Sequence, residues 1–265
     1  MKKTIIIPAR YGSTRFPGKP LAKIAGKTML SRVVDLAKQA AEQTNIETIA
    51  VATEDEHIHQ HAEELGVQAI MTSDDCQTGS DRVLEAIEKT DPSIEVVFGL
   101  QGDAPFTPVD AIVKMAEAIK SDPSIEVVTP IVPLRWSELD RLREQKKITP
   151  FSGTTVTTDT DGKALWFSKN ILPAIRKEEK LRGEEFSPVY QHIGLYGYKV
   201  ETLKKFVSLP QGHYEKLEGL EQLRLLENNI PIHAVALELA EGLMQSGIDS
   251  PEDIERAEKM LSERS

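Results

Sequence analysis

Short apolar runs alternate with helix-periodic stretches through the first half of this chain. Lys3 to Pro8 is an apolar run closed by proline. Glu47 to Thr53, Ala69 to Thr72, Glu95 to Leu100 and Glu126 to Val132 repeat the pattern. Between them, Met29 to Gln43 carries apolar residues at helical spacing (Met29, Val33, Leu36, Ala37, Ala40). Asp55 to Leu65, Asp81 to Lys89 and Val109 to Ser121 read as further helices. This alternation commits the chain to an α/β fold with a mainly parallel sheet, because parallel neighbours need a long crossover and a helix usually supplies it. Ligands of such sheets bind beyond the carboxyl ends of the strands. The loop after the first strand and Gln101-Gly102-Asp103 after the fourth therefore fall on one edge, although they are distant in sequence.

The pattern changes after Pro133. Arg135 to Lys147 is charged and helical. Thr154 to Thr158 and Ala164 to Phe167 are strands around a turn at Asp159 to Gly162, and Ile175 to Glu185 reads as a charged, mobile excursion. His192 to Lys199 alternates like one strand. Tyr214 to Leu226 reads as one helix with leucines at 217, 220, 223 and 226. Ile232 to Leu237 is a late strand. Pro251 to Leu261 closes the chain as a helix, with Ser250 suited to its N-cap and Pro251 to its first position. The expectation is one domain over residues 1–265, with a mainly parallel central sheet and a smaller mixed sheet inserted from about 133 to 213.

Composition narrows the function classes. A chain of 265 residues with 40% hydrophobic and 28% charged residues buries a core without staples, so disorder, coiled coil and collagen are excluded. Cys76 is the single cysteine, which removes internal disulfides and cysteine-based zinc sites and points to a reducing compartment. Ile5 to Ile7 is too short for a signal or membrane segment, so a cytoplasmic protein without membrane insertion is expected. The net charge of -10 argues against a nucleic-acid partner. Yet Met1 to Val34 holds eight Lys or Arg and no Asp or Glu. Such a local cationic segment suggests one anion site.

The spacing within that segment is informative. Pro8 to Lys19 reads PARYGSTRFPGK, with cations at Arg10, Arg15 and Lys19 and small residues at Gly12, Ser13 and Gly18. Charge combined with accessible backbone N–H groups holds phosphates. The loop is neither GxxxxGK[ST] nor GxGxxG. Directly after a first strand, it favours a nucleoside triphosphate over a dinucleotide; the alternative is a solvated basic loop.

PARYGSTRFPGKPL (8–21), VATEDE (51–56), MTSDDCQTGSDR (71–82), LQGDAP (100–105), ALWFSKNILP (164–173), HIGLYGY (192–198), LEGLEQLR (217–224) and GIDSPED (247–253) follow in order along nearly the whole chain. Together they resemble the 3-deoxy-manno-octulosonate cytidylyltransferase (CMP-Kdo synthetase) family of sugar nucleotidyltransferases. The resemblance implies a Rossmann-like nucleotidyltransferase fold and a homodimer. It also implies transfer of CMP from CTP to the anomeric hydroxyl of a Kdo-like 2-keto sugar acid, for lipopolysaccharide or capsule precursors. Mg²⁺ would clamp the phosphates, since octahedral Mg²⁺ needs few protein carboxylates when phosphates and water complete its shell.

Residue by residue, the resemblance assigns catalysis to Arg10, Lys19 and Asp103, and the metal to Asp103 and Asp249. The nucleotide falls to Arg10, Ser13, Arg15, Lys19, Thr72, Ser73, Gly79 and Arg82. The sugar falls to Gln101, His192, Tyr196, Glu221 and Gln222. Read from the residues alone, Asp103 is also a turn aspartate, Asp249 a residue ahead of a helix and Arg82 a surface arginine at a helix start. His192 is also a core histidine, and Glu221 and Gln222 the exposed side of a helix. Strand alternation would place Tyr196 and Tyr198 on the face of His192.

Two departures from the family pattern stand out. Ala104 replaces the glutamate of Gln-Gly-Asp-Glu-Pro, and Thr155 stands where a lysine is common, removing a cation near the sugar. They motivate two alternatives: a different sugar acid (8-amino-Kdo or a nonulosonate), or a catalytically silent CTP-binding protein. His57, His59 and His61 lie in the acidic tract EDEHIHQHAEE and read as a solvated helix face, not a metal site. Cys76 has no basic partner pattern that would mark it as a nucleophile.

Overall fold

The computed structural model describes residues 1–12, 16–240, 248 and 251–263. The chain divides into two compact units. The first takes Met1–Val113, Gly197–Val207 and Ser246–Ser265; the second takes Lys114–Tyr196 and Ser208–Gln245. The stretch from about 133 to 213 falls mostly in the second unit, which also takes in later residues up to Gln245.

In chain order the first unit opens with β1 (Lys3–Pro8), β2 (Lys23–Ile24), β3 (Lys27–Thr28) and α1 (Met29–Thr44). It continues through β4 (Thr48–Thr53), α2 (Glu56–Glu64), β5 (Gln68–Met71), α3 (Gly79–Thr90) and β6 (Val96–Gly99). The boundary falls within α4 (Val109–Ser121). The second unit holds β7 (Val127–Arg135), α5 (Trp136–Ile148), β8 (Thr155–Thr158), β9 (Ala164–Ser168) and β10 (Phe186–His192). After β11 (Tyr196–Lys199) and α6 (Val200–Ser208) come α7 (His213–Glu218), α8 (Leu223–Glu227), β12 (His233–Ala236) and α9 (Pro251–Glu263).

In the first unit the strands run β5-β4-β1-β6-β11. β1 lies parallel to both β4 and β6, with Ile5 opposite Ile49 on one side and Phe98 on the other. Ile5, Ile6 and Ile7 are all buried. A continuous apolar run is what a central parallel strand covered on both faces requires. Helix α1 starts where the Thr28 hydroxyl accepts from the Ser31 N–H, and it turns Met29, Val33, Ala37 and Ala40 inward. Ile24, Met29, Ile248 and Ala257 form a separate buried cluster against which Phe106, Ile254 and Leu261 pack.

In the second unit β7 pairs antiparallel with β10 and parallel with β12, and β10, β8 and β9 continue antiparallel. This is a mixed sheet, as the break in periodicity after Pro133 suggests. The segment around Glu178 is not free of the core. Arg143 donates to Glu178 at 3.0 and 2.6 Å, and Arg182 donates to Asp140 at 2.9 Å. The Arg182 guanidinium lies 5.0 Å from the Trp136 ring centroid. Ile171 and Ile175 pack on the cluster of Leu134, Trp136, Leu139, Leu142 and Val189.

Two sequence expectations are corrected here. His192 to Lys199 is not one strand: β10 ends at His192, and Leu195 N donates to Ile193 O at 2.7 Å in a tight turn before β11. Tyr198 stacks on Phe206, with ring centroids 6.0 Å apart. Tyr214 to Leu226 is not one helix either. Gly219 takes φ 62°, its N–H caps Glu215 O, and the chain turns before α8. Leucines recur at 217, 220, 223 and 226 across the break although Leu217 is exposed and Leu220 and Leu223 are buried, so the spacing hides the interruption.

Candidate active site

Within the first unit, the carboxyl ends of β1 and β6 and the start of α3 enclose a cavity of about 220 Å³. Its lining includes Pro8, Arg10, Lys19, Gly79, Arg82, Gln101 and Asp103. The two loops can meet because residue 102 is glycine. Gly102 N donates to Pro8 O at 3.2 Å, and a Cβ there would sit 3.0 Å from that oxygen. A side chain there would crowd the end of β1.

Lys19 follows in the short 3-10 turn Lys19–Leu21 and is buried. Its ammonium donates to Asp103 Oδ2 at 2.6 Å and to the Ile248 carbonyl at 2.7 Å. Ile248 N in turn donates to Asp103 O at 3.3 Å. Three segments remote in sequence are thus tied at one point. Asp103 keeps 41% of its side chain exposed, so its carboxylate is reachable from the cavity.

Helix α3 opens at the cavity wall. The Thr78 hydroxyl accepts from Asp81 N, and the Asp81 carboxylate accepts from Thr78 N, a reciprocal cap. The Gly79 side of that N-terminus lies against the Gln101 amide, since a Cβ on Gly79 would stand 3.3 Å from it. A helix start that lines the cavity with Arg10 and Lys19 favours an anion.

The remaining nucleotide candidates are more constrained. Arg82 is not a surface arginine: it is buried, bonded to the Thr72 hydroxyl and 2.9 Å from Glu54 Oε2. Glu54 also accepts from Tyr11 N at 3.0 Å, bracing the cationic loop, a role that nothing in the sequence pattern singled out. Ser73 N donates to Glu85 Oε1 at 2.8 Å. Cys76 Sγ donates to Glu85 Oε2 at 3.0 Å, and burial together with that carboxylate pushes the thiol up to about 11. The protonated thiol fits the reading that Cys76 is no nucleophile. Burial raises Glu85, but hydrogen bonds from Cys76, Lys89 and Ser73 N outweigh it and hold the carboxyl at about 2.

Ser13, Arg15 and Asp249 lie outside the described residues, as does Ser250. Among the described residues no group of three or more His, Cys, Asp or Glu could hold a metal ion. His57 is exposed, and His61 Nε2 lies 2.8 Å from the Thr28 hydroxyl. Gln101, grouped with the sugar by resemblance, lines the first unit's cavity beside the nucleotide candidates.

The other sugar candidates belong to the second unit. His192, Tyr196 and Phe167 form an aromatic group, with His192 centroids 5.4 Å from Tyr196 and 5.0 Å from Phe167. The strand break thus preserves the His192–Tyr196 neighbourhood by a turn instead of by alternation. His192 is both a hydrogen-bonded core histidine and a member of this group: its Nε2 is 2.8 Å from Thr129 Oγ1. Burial first, and the charge of Lys169 second, push its imidazole down to about 3, so the ring is neutral.

Lys169 is a cation close enough to His192 to lower its pKa, and the sequence did not single it out. Its ammonium donates to Thr154 Oγ1 at 3.2 Å, and the Thr154 carbonyl accepts from His192 N. Its backbone is gripped from both ends: Glu218 Oε2 accepts its N–H at 2.8 Å, and the Lys146 ammonium donates to its carbonyl at 2.5 Å. Thr155, by contrast, is buried, donating to Asn170 O at 2.6 Å and accepting from Leu172 N at 3.0 Å. A threonine there holds the turn that carries Lys169.

Glu221 and Gln222 sit in the turn between α7 and α8, not on a helix face, and Gln222 is buried. The turn is stapled by a buried ion pair: Arg224 donates to Glu215 through Nε at 2.8 Å and Nη2 at 2.6 Å. Ala104 forms part of a tight turn, its N–H donating to Gln101 O at 3.1 Å and its carbonyl accepting from Thr107. No side-chain bond at that position is needed to close the loop.

Known proteins resemble this chain along most or all of its length. A cytidylyltransferase family profile matches residues 4–234. A 3-deoxy-manno-octulosonate cytidylyltransferase of Maricaulis maris is 41% identical over 99% of this chain and 98% of its own length. Its namesake from Desulfatibacillum aliphaticivorans is 38% identical over the full length of both. A solved CMP:2-keto-3-deoxy-manno-octonic acid synthetase complexed with CTP superposes with a TM-score of 0.85 at 30% identity, covering both chains entirely. Taken with the basic loop, the Gln-Gly-Asp turn and the cluster around His192, these matches establish that the chain belongs to the 3-deoxy-manno-octulosonate cytidylyltransferase family.

Proposed function

We propose that this chain transfers CMP from CTP to the anomeric hydroxyl of 3-deoxy-manno-octulosonate, with release of pyrophosphate. The observation that carries the reading is the Lys19–Asp103 pair at 2.6 Å in a cavity also lined by Arg10 and the start of α3. Joining a sugar acid to a nucleotide sets like charges against each other and uses a poor nucleophile. Arg10, Lys19 and the α3 N-terminus offset the triphosphate charge, and this offset grows in value as charge develops on the leaving pyrophosphate. Lys169 opposes the sugar carboxylate, while His192, Tyr196, Glu221 and Gln222 meet hydroxyls, the family resemblance adding Gln101 to the sugar contacts. Holding both reactants in line supplies most of the rate, with no covalent intermediate on the protein.

Mg²⁺ fits the donors present, because a half-exposed aspartate beside a triphosphate site needs only one further protein ligand. Asp103 and Asp249 would hold it, and it would screen the phosphates and acidify the attacking hydroxyl. A homodimer is part of the proposal, supported by the exposed apolar side chains of Ile148, Phe151 and Leu165. A cytoplasmic role in lipopolysaccharide or capsule precursor synthesis follows from the same substrate.

The test is incubation of the purified chain with CTP, Mg²⁺ and a panel of sugar acids: Kdo, 8-amino-Kdo and a nonulosonate. Pyrophosphate release with Kdo is the expected result. Exclusive turnover of another acid would overturn the substrate assignment. CTP binding without turnover of any acid would overturn the enzyme reading.

A further inference from the structure

The proton count at Thr129 decides what His192 offers a ligand. Thr129 is fully buried on β7, and its hydroxyl has two close neighbours: the Leu195 carbonyl at 2.7 Å and His192 Nε2 at 2.8 Å. A hydroxyl has one proton. A carbonyl cannot donate, so the proton lies toward Leu195 O. The Thr129 oxygen then accepts, and His192 Nε2 must carry hydrogen. The opposite assignment would leave two lone-pair oxygens facing each other at 2.7 Å in a buried place, which costs the full desolvation of both.

The doubly protonated ring is disfavoured as well, by burial and by the charge of Lys169. Phe167 and Tyr196 pack against the ring, and the Thr129 bond favours this orientation. No described residue hydrogen-bonds Nδ1.

We infer that Thr129 is a positioning residue for the sugar acid: it holds His192 in the tautomer protonated on Nε2, so that Nδ1 is a pure acceptor and the sugar group meeting it is a hydroxyl, not the carboxylate. This rests on the reading of His192 as a sugar contact. It divides the work within the second unit, with Lys169 taking the anion and His192 sorting hydroxyl donors from acceptors. A sugar lacking the matching hydroxyl leaves Nδ1 unpaired, and such a site rejects the deoxy analogue strongly.

The experiment reads the tautomer and the reaction separately. Imidazole nitrogen NMR is recorded on the full chain for wild type, Thr129→Val and Thr129→Ser, and the His192 signals are assigned by their loss in His192→Asn. Wild type and Thr129→Ser should show Nδ1 unprotonated and Nε2 protonated, and Thr129→Val should show a mixed population. The KM for Kdo should rise about tenfold in Thr129→Val, the loss expected of one oriented hydrogen bond, and return in Thr129→Ser. The KM for CTP should stay within about twofold in both, well under one hydrogen bond's worth. Protonated Nδ1 in wild type overturns the proposal even if Thr129→Val fails to fold. A shifted tautomer with an unchanged KM for Kdo overturns instead the reading that His192 meets the sugar, and with it the role of Thr129 in the reaction.

Discussion

Replacing Glu215 by glutamine should cost stability and sugar affinity together. Glu215 and Arg224 keep only 5% and 9% of their side chains exposed, and two bonds of 2.8 and 2.6 Å join them. The same carboxylate accepts from Gly212 N at 2.8 Å. Glutamine keeps the shape and one acceptor but faces Arg224 with an uncharged group. Removing one partner of a buried pair costs about 3–5 kcal/mol, and the retained acceptor puts the expected value near the lower end, about 3 kcal/mol. For a chain of this size that is a fall in Tm of about 6–12 °C.

The acid dependence fixes the sign. Burial raises Glu215, but the bonds from Arg224 and Gly212 N outweigh it, so its folded pKa lies below the ordinary value. The pair's contribution is therefore present above the unfolded carboxylate pKa of about 4.3 and lost as pH falls through the lower folded value. Wild type and Glu215→Gln should converge in acid. Because Glu221 and Gln222 lie inside the stapled turn, the variant should also raise the KM for Kdo and leave that for CTP alone. The double variant Glu215→Leu/Arg224→Met should recover much of the lost stability. Urea unfolding and calorimetry across pH measure all of this. A Glu215→Gln variant within about 0.5 kcal/mol of wild type, as an ordinary surface substitution would be, would refute the reasoning.

Lys19→Met should weaken CTP binding at least tenfold by calorimetry, since two charge-assisted bonds and a phosphate counter-charge disappear together. Asp103→Asn should lower kcat at least a hundredfold while CTP still binds, as expected when electrostatic stabilisation of the transition state is lost. Alkylation of Cys76 at pH 8 should be slow and should quicken in Glu85→Gln, because removing that carboxylate lowers the thiol pKa and raises its thiolate fraction. His57→Ala should leave turnover and metal response unchanged within about twofold, as expected of an exposed histidine on a helix surface.

The parallel unit was legible because its signals are local and redundant. Ile5 to Ile7 reads as a buried strand and is one, and Met29 to Gln43 marks α1 to within a residue. Two breaks were not legible. Gly219 and the turn at Ile193–Leu195 interrupt patterns whose apolar spacing continues across the gap. Arg10, Lys19, Gln101 and Asp103 meet around one cavity because strand ends on one sheet edge converge. Lys169 and Thr129 were invisible for a different reason. Lys169 acts from a turn defined by Glu218 and Lys146, and Thr129 acts through a proton it shares with a backbone carbonyl. Neither relation has a sequence spacing, so tertiary packing alone reveals them.

The most direct measurement is pyrophosphate release from CTP and Kdo, followed continuously in wild type and Asp103→Asn, with Mg²⁺ and then with excess chelator. Release by wild type with Mg²⁺, its arrest by chelator and a flat trace for Asp103→Asn are the predicted results. Undiminished release after chelation, or from Asp103→Asn, would contradict the account.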